Sequence, residues 1–598
     1  MKCVRSEYEV ILLKILSLTV TNYKSLQLCN FHFNPNITYI VGKNNIGKSN
    51  LLRFIDRLFA RRRFFNEDYR DINKPIEGTV EILIEDHELG VFEDYTDPKN
   101  KNIFQFKFLQ ENPFEELKLI HRHTDIEVPN KYLKRLNYIY YDSSRAPDRT
   151  NNFSSQTSNY NIIARLVDKF FEDNIPEKLG TGSATQVDEL LQFINQVISN
   201  VKTIQTEGIS VNINEDDTID ALKKLMYLGH KNIPITQLGS GIQYANLIPF
   251  NILSTLINKS RFAKNFEQMI MIDSNGLKYI SFIMGIDEPE IHLHPHLQKR
   301  LIKYLKSIFS GENIEFNNIL KELFDIDYIN GQLLVVTHSP NILDDNYRTI
   351  LRMYEKEQET LVCNGNLMSI SDQKEEKFLI KYMPFLKMAF FSKAVIIVEG
   401  ESEQLAIHKL AEKMNYNLDD YEISVLNANG KDNIPSLSKL LNKFEILTIN
   451  VFDKDDDNHE NSRYKVLPNV FFTDKRDFEE EILDKMSGLS FLKFLLELQS
   501  DKKSTLFQEI QKGDTLIEID DKIWNLDDYL SDLIDKYDSG EIEEFEIDIF
   551  YNEKVPTFLK FLYKQKSILL GELLATYIDE VPTVYKNVIV RAVELSSE

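Results

Sequence analysis

Four things are scarce in this chain of 598 residues, and each scarcity narrows what it can be. Cysteine is nearly absent: Cys3, Cys29 and Cys363 stand far apart with no paired spacing. That excludes a disulfide framework and a cysteine zinc cage, and it suits a reducing cytoplasm, where we expect the protein to reside. Positive charge is in deficit, with 70 Lys and Arg against 93 Asp and Glu and a net charge of −23. Such a protein does not coat nucleic acid indiscriminately, but local basic patches or metal-holding acids still allow contact with phosphates. No apolar run approaches the roughly 20 residues of a membrane span, so no membrane partner is expected. The N-terminal EVILLKILSLTV does not read as an export signal, because Glu7 and Glu9 flank it, Lys14 interrupts it and no small-residue cleavage site follows. From Leu16 it alternates, with Leu16, Leu18 and Val20 on one side and Ser17, Thr19 and Thr21 on the other, which is strand periodicity. Internal repeats and long low-complexity tracts are also lacking.

What is present is enough chain for two to four domains, with 42% hydrophobic and 27% charged residues, the balance of a globular protein. An N-terminal part, 1–150, opens with strands around a glycine loop and continues, over 78–140, as a mainly antiparallel flank. Residues 151–232 read as a helical insertion that serves dimerisation, and strands return over 233–370 in KYISFIMGIDEPE and QLLVVTHSP. From 371 to 598 strands and helices alternate as in a parallel sheet, and the end of the chain is helix-rich and acidic. The fold class is therefore α/β.

The first constellation is GKNNIGKS, Gly42 to Ser49, a complete G-x-x-x-x-G-K-S loop between a short apolar strand and an amphipathic helix. Its glycines let backbone N–H groups close on phosphate oxygens, so Gly42, Asn45, Gly47, Lys48, Ser49 and Asn50 are the expected nucleotide contacts. Lys48 would reach the β and γ phosphates and Ser49 would hold one Mg²⁺. FIMGIDEPE ends a strand on Asp287, expected to support Mg²⁺, and Glu288, expected to polarise the attacking water. VVTHSP presents His338 to the γ-phosphate, and Gly239, Ser240 and Gly241 form a turn before a helix. In this order the segments resemble ATP-binding-cassette ATPases of the SMC type, although the family's signature turn is Ser-Gly-Gly. The resemblance implies ATP as ligand and a dimer of ATPase domains. HLHPH follows, but Pro295 breaks its alternation and no fourth ligand is evident, so zinc is not expected there. The basic clusters Arg61 to Arg63 and Lys131, Lys134 and Arg135 read equally as solvated surface and as DNA contacts.

The second constellation is AVIIVEGESE, a β-branched strand that ends on Glu399, with a helix expected to start at Ser402 as its cap and to carry Glu403 in its first turn. Some fifty residues on, FEILTINVF ends on Asp453 and Asp455, which share one side of an extended backbone. Functional groups gather at the carboxyl ends of parallel strands, and an all-carboxylate set suits Mg²⁺ or Mn²⁺ rather than zinc. TDKRDFEEEIL adds Asp477 and Glu479 as candidate ligands, with Glu480 and Glu481 forming an acidic first turn, and Lys566 heads a late helix. Glu-Gly followed downstream by Asp-x-Asp resembles the Toprim domain.

An ABC-type ATPase joined to a C-terminal Toprim domain resembles the OLD (overcoming lysogenization defect) family of nucleases, nearest to its Gabija and retron-associated branches. The resemblance spans essentially the whole chain. It implies a homodimeric or higher-order antiphage DNA endonuclease that nicks or cuts both strands. Glu399, Glu403, Asp453, Asp455 and Glu479 would hold two metal ions, Lys566 would match the family's late lysine, and ATP would regulate access to the nuclease. It further implies a helicase-like subunit, or a retron reverse transcriptase with its DNA, as partner. Two other readings stay open: a DNA-binding ATPase whose Toprim domain binds without cutting, and a topoisomerase-like enzyme using one of 27 tyrosines.

Overall fold

The computed structural model describes residues 13–84, 102–128, 137–142, 165–166, 169, 184–199, 210–212, 227–230, 233–234, 240–260, 266–291, 293–454, 464–498, 526–564 and 567–597. The chain divides into two compact units, Met1–Ser369 and Ile370–Glu598. Among the described residues no helix is long and apolar enough to cross a membrane.

The first unit runs β1 (Lys14–Thr21), β2 (Cys29–His32), β3 (Ile37–Gly42), α1 (Lys48–Ile55), β4 (Ile76–Leu83), β5 (Ile103–Gln110), β6 (Lys118–His121) and β7 (Asn137–Asp142). It continues with α2 (Ala184–Ser199), β8 (Ser210–Asn212), β9 (Tyr227–His230), β10 (Ile233–Pro234), α3 (Ser240–Ser260), β11 (Met271–Ile272) and β12 (Lys278–Asp287). It closes with α4 (Pro295–Phe309), α5 (Ile314–Phe324), β13 (Tyr328–Val336), β14 (Ile350–Lys356) and β15 (Glu359–Asn364). β3 lies in the interior of a seven-stranded sheet, parallel to both β13 and β14, and all six of its residues are buried. Burial on two faces explains why ITYIVG is an almost unbroken apolar run rather than an alternating one. β12 runs parallel to β13, so the strand ends carrying Asp287 and the segment before His338 arrive beside the P-loop.

The antiparallel flank is real for β4, β5 and β6, which join β1 and β2 in a five-stranded sheet. β7, in contrast, pairs in parallel with β12 in the central sheet. In β1 a bulge between Ile15 and Ser17 shifts the alternation, so Leu18 and Val20 are buried, Leu16 is only half-buried and Ser17 is buried with its hydroxyl on Glu81. The described parts of 151–232 are not helical throughout: they hold α2, but also β8 and β9, and β9 pairs with β8 on one side and β10 on the other in a small antiparallel sheet.

The second unit contains α6 (Gln373–Leu386), β16 (Ala394–Val398), α7 (Glu401–Lys413), β17 (Ile423–Asn427), α8 (Ile434–Lys443), β18 (Leu447–Phe452) and β19 (Val470–Phe472). After them come α9 (Phe478–Leu483), α10 (Gly488–Glu497), α11 (Leu526–Asp538), α12 (Glu544–Lys564), α13 (Ile568–Tyr577) and α14 (Thr583–Ser597). The four strands are parallel in the order β17-β16-β18-β19, which sets β16 and β18 side by side and brings their carboxyl ends together. α7 and α13 pack closely because Gly571 has no side chain: a Cβ there would sit 1.8 Å from the Ser402 carbonyl oxygen. Both sides of that contact are backbone, so Gly571→Ala must push α13 off the start of α7. It is expected to cost about 1–3 kcal/mol, read as a lower urea midpoint for the second unit.

Candidate nucleotide site and carboxylate centre

The P-loop has the backbone its glycines imply. Gly42 and Gly47 take φ of 148° and 109°, and a Cβ at Gly42 would lie 2.2 Å from the Met353 carbonyl oxygen. Asn45 is exposed and left-handed at φ 63°, while Asn50 bonds Ser25 Oγ at 3.1 Å. Lys48 is buried, and its ammonium donates to the carbonyls of Gly42 and Lys43, each at 2.8 Å. Burial draws its pKa down to about 8, although Glu288, Asp287 and Glu290 oppose that. A buried lysine whose ammonium hydrogen-bonds two loop carbonyls fits an anionic phosphate.

Ser49 Oγ donates to Asp287 Oδ1 at 2.9 Å. Burial raises the Asp287 pKa, against the hydrogen bonds that lower it. Glu288 is left-handed at φ 50°, a strained conformation for a non-glycine residue, and its Oε1 lies 3.5 Å from His338 Nε2. Burial, then the nearby Lys48 charge, lower the His338 pKa, against Asp287, which raises it. Glu290, which no motif singled out, accepts the His338 backbone N–H at 2.5 Å, and among the described residues its buried Oε2 has no hydrogen-bond partner. Its only sequence cue is the second acid of Asp-Glu-Pro-Glu. Ser240 and Gly241 open α3, and Gly239 lies outside the described residues. His294 and His296 stack face to face with centroids 5.8 Å apart at the start of α4, and His292 is outside the described residues. So are Lys131, Lys134 and Arg135.

In the second unit β16 and β18 deliver Glu399 and Asp453 to one place: the Asp453 backbone N–H donates to Glu399 Oε1 at 2.9 Å. The cap of α7 is Gly400, not Ser402. Glu403 explains the difference, because its Oε2 turns back to accept the Gly400 N–H at 3.1 Å, the reciprocal half of a capping box. Ser402 is thereby inside the helix and donates to Glu479 Oε1 at 3.3 Å. Asp477 caps α9 by accepting from Glu480 N at 3.1 Å, and Glu481 is buried on the Lys475 backbone N–H rather than solvated. Tyr585, in the first turn of α14, donates to Glu403 Oε1 at 3.2 Å from 182 residues away, and no local pattern distinguishes it from the other tyrosines. Asp455 and Lys566 lie outside the described residues.

The electrostatics of this centre are those of acids buried together. Burial first, then Glu403, Glu399, Asp477 and Glu479, push the Asp453 carboxyl far above the carboxylate range. Glu403 is raised as well, by burial and then by Glu399 and Glu479. Asp453 Oδ1 is buried with no hydrogen-bond partner among the described residues. Oxygen-only donors, mutual repulsion and an orphaned buried oxygen fit a hard divalent cation. Among the described residues no three such side chains already enclose an ion-sized position; Asp455, one of the expected ligands, is not among them.

Asp453 and Glu403 have folded pKa values above their unfolded ones, so the stability they give is present below the ordinary carboxylate range and is lost as pH rises. The metal-free protein should therefore melt at lower temperature as pH climbs from the carboxylate range through neutrality, less steeply in Glu403→Gln, and Mn²⁺ should flatten the slope. Calorimetry at several pH values checks this; a slope unchanged by Mn²⁺ or by Glu403→Gln would count against it.

Comparison with known proteins finds a matching domain in each unit. Residues 390–455 match the family model described as overcoming lysogenization defect protein-like, TOPRIM domain. Residues 13–182 and 167–343, together more than half of the chain, match the AAA ATPase domain. The chain is similar to "Endonuclease GajA" of Bacillus cereus (strain HuB5-5), 21% identical over 484 residues, 66% of this chain and 67% of that protein. It is also similar to "Old nuclease" of Escherichia phage P2, 20% identical over 513 residues, 78% of this chain and 79% of that protein. Among solved structures, the C-terminal region of the Burkholderia pseudomallei OLD protein aligns at 17% identity and a TM-score of 0.22, over 34% of this chain and 99% of that one. The chain thus holds an AAA ATPase domain in its first unit and an OLD-like Toprim domain in its second, and it is homologous to nucleases of the OLD family.

Proposed function

We propose that this protein is an ATP-binding, metal-dependent DNA endonuclease whose nuclease centre is governed by its ATPase domain, acting in bacterial antiphage defence. The observation that carries the reading is the carboxylate centre of Glu399, Glu403 and Asp453 within the Toprim match and Glu479 beyond it, with Glu403 and Glu479 buried, in a chain that also holds a P-loop. Relatives named as nucleases support the reaction type.

In this reading Glu399, Glu403, Asp453, Asp455 and Glu479 hold two Mg²⁺ or Mn²⁺ ions, with Asp477 supporting them. When bound, such ions lower the pKa of an attacking water and stabilise the leaving oxygen of a phosphodiester. Glu399 orients the β18 end through the Asp453 N–H, so the Asp453 carboxylate is presented from a fixed backbone. Glu403 and Ser402 fix the start of α7 and the Glu479 carboxylate against it. Lys566 stands as the cation for the scissile phosphate. In the first unit Lys48 and the loop N–H groups bind the nucleotide phosphates, Ser49 and Asp287 serve one Mg²⁺, Glu288 orients water and His338 faces the γ-phosphate. Gly239, Ser240 and Gly241 close on the nucleotide of a second copy in a homodimer or larger assembly. A helicase-like subunit, or a reverse transcriptase with its DNA, supplies the signal for cleavage in the cytoplasm.

Supercoiled plasmid incubated with the protein and Mn²⁺, with and without ATP, tests this. Nicked or linear product is expected, with at least a hundredfold loss in Glu399→Ala. Intact plasmid under every condition, or cutting that survives Glu399→Ala, would refute the assignment, and relaxed closed circles would point to topoisomerase chemistry. Lys48→Ala should lose nucleotide binding and, with it, any effect of ATP on cleavage; an ATP effect that persists would rule out control through the P-loop.

A further inference from the structure

The nucleotide site has a support that its motifs do not announce. β7 lies beside β12 with Tyr140 opposite Gly285 and Asp142 opposite Asp287. The Tyr140 hydroxyl donates to Asp287 Oδ2 at 3.0 Å, while Ser49 Oγ donates to Oδ1 at 2.9 Å. Both carboxylate oxygens are thus held, one from the P-loop helix and one from a neighbouring strand, so the group cannot turn away from Ser49. Arg53, on α1, hydrogen-bonds the same phenol, and its guanidinium lies 4.0 Å from Asp142.

Tyr138, two residues earlier, provides a contrast. Its hydroxyl donates to the Leu52 carbonyl at 3.0 Å, in space that Gly285 leaves open, where a Cβ would come within 1.9 Å of it. The two tyrosines share a strand, and both tie it to neighbouring elements. Only Tyr140 donates to Asp287.

We propose that Tyr140 is a positioning residue for the magnesium of the nucleotide site, holding Asp287 in the orientation that faces Ser49. The proposal rests on reading the P-loop as a Mg²⁺-nucleotide site. Its physical basis is that partners of a metal-supporting carboxylate fix its direction, and losing one typically weakens metal affinity about 10–100-fold.

The test uses the full chain and a fluorescent N-methylanthraniloyl ATP, with Mg²⁺ titrated at fixed nucleotide. Tyr140→Phe is expected to raise the half-saturating Mg²⁺ about tenfold, while nucleotide binding without Mg²⁺ and the ligand-free melting temperature stay near wild type. Tyr138→Phe, which loses only a bond to a main-chain carbonyl, should keep the wild-type Mg²⁺ dependence even if it melts earlier. An unchanged half-point in Tyr140→Phe, or an equal shift in Tyr138→Phe, would overturn the proposal while leaving the nucleotide reading intact. Wild type that binds no nucleotide at any Mg²⁺ concentration would overturn both.

Discussion

The hydrogen bond from the Asp453 backbone N–H to Glu399 Oε1 joins the ends of two adjacent parallel strands, and the carboxylate centre depends on it. It spends a main-chain donor on a carboxylate, which fixes one acid and leaves the side chain of the other to face the remaining acids. The consequence is a charge problem. Glu403 and the Asp453 Oδ1 atom are buried with carboxylates around them, and among the described residues that oxygen has no hydrogen bond. A protein tolerates such repulsion either by keeping protons it would otherwise release or by taking up a cation. The first explains the raised pKa values, and the second is the function we assign.

The two units meet similar problems with different donors. In each, an apolar parallel strand ends on an acid beside the start of a helix: Asp287 near α1 and Glu399 before α7. In the first unit hydroxyls from Ser49 and Tyr140 occupy the acid, and a buried lysine stands close by. In the second the acids stand mainly against one another, with Ser402 and Tyr585 as the hydroxyl donors. One arrangement suits a nucleotide that brings its own negative charge to a lysine. The other suits a cation that brings positive charge to acids.

The parts legible in the sequence were those whose chemistry is local. The P-loop is eight residues with two glycines at positive φ, β3 is an apolar run that stops at its first glycine, and β12, β16 and β18 are apolar runs that stop at acids, so motif and strand end coincide. What escaped was long-range or hidden by a local competitor. Tyr585 and Tyr140 reach their carboxylates across 182 and 147 residues, and a lone tyrosine has no periodic signature. Ser402 resembles a cap, but the side chain of Glu403 folds back to Gly400 and moves the helix start two residues earlier than that cap implies. β7 reads as one more strand of the flank because sheet membership is decided by pairing with β12, far along the chain.

The central claim, that the buried acids are a divalent-metal centre, is met most directly by anomalous diffraction from crystals of the full chain soaked in Mn²⁺. The account predicts a peak within coordination distance, about 2.0–2.4 Å, of Asp453 Oδ1 and of a Glu399 or Glu479 oxygen. Mn²⁺ bound elsewhere on the chain, with Asp453 Oδ1 still unpartnered, would contradict it.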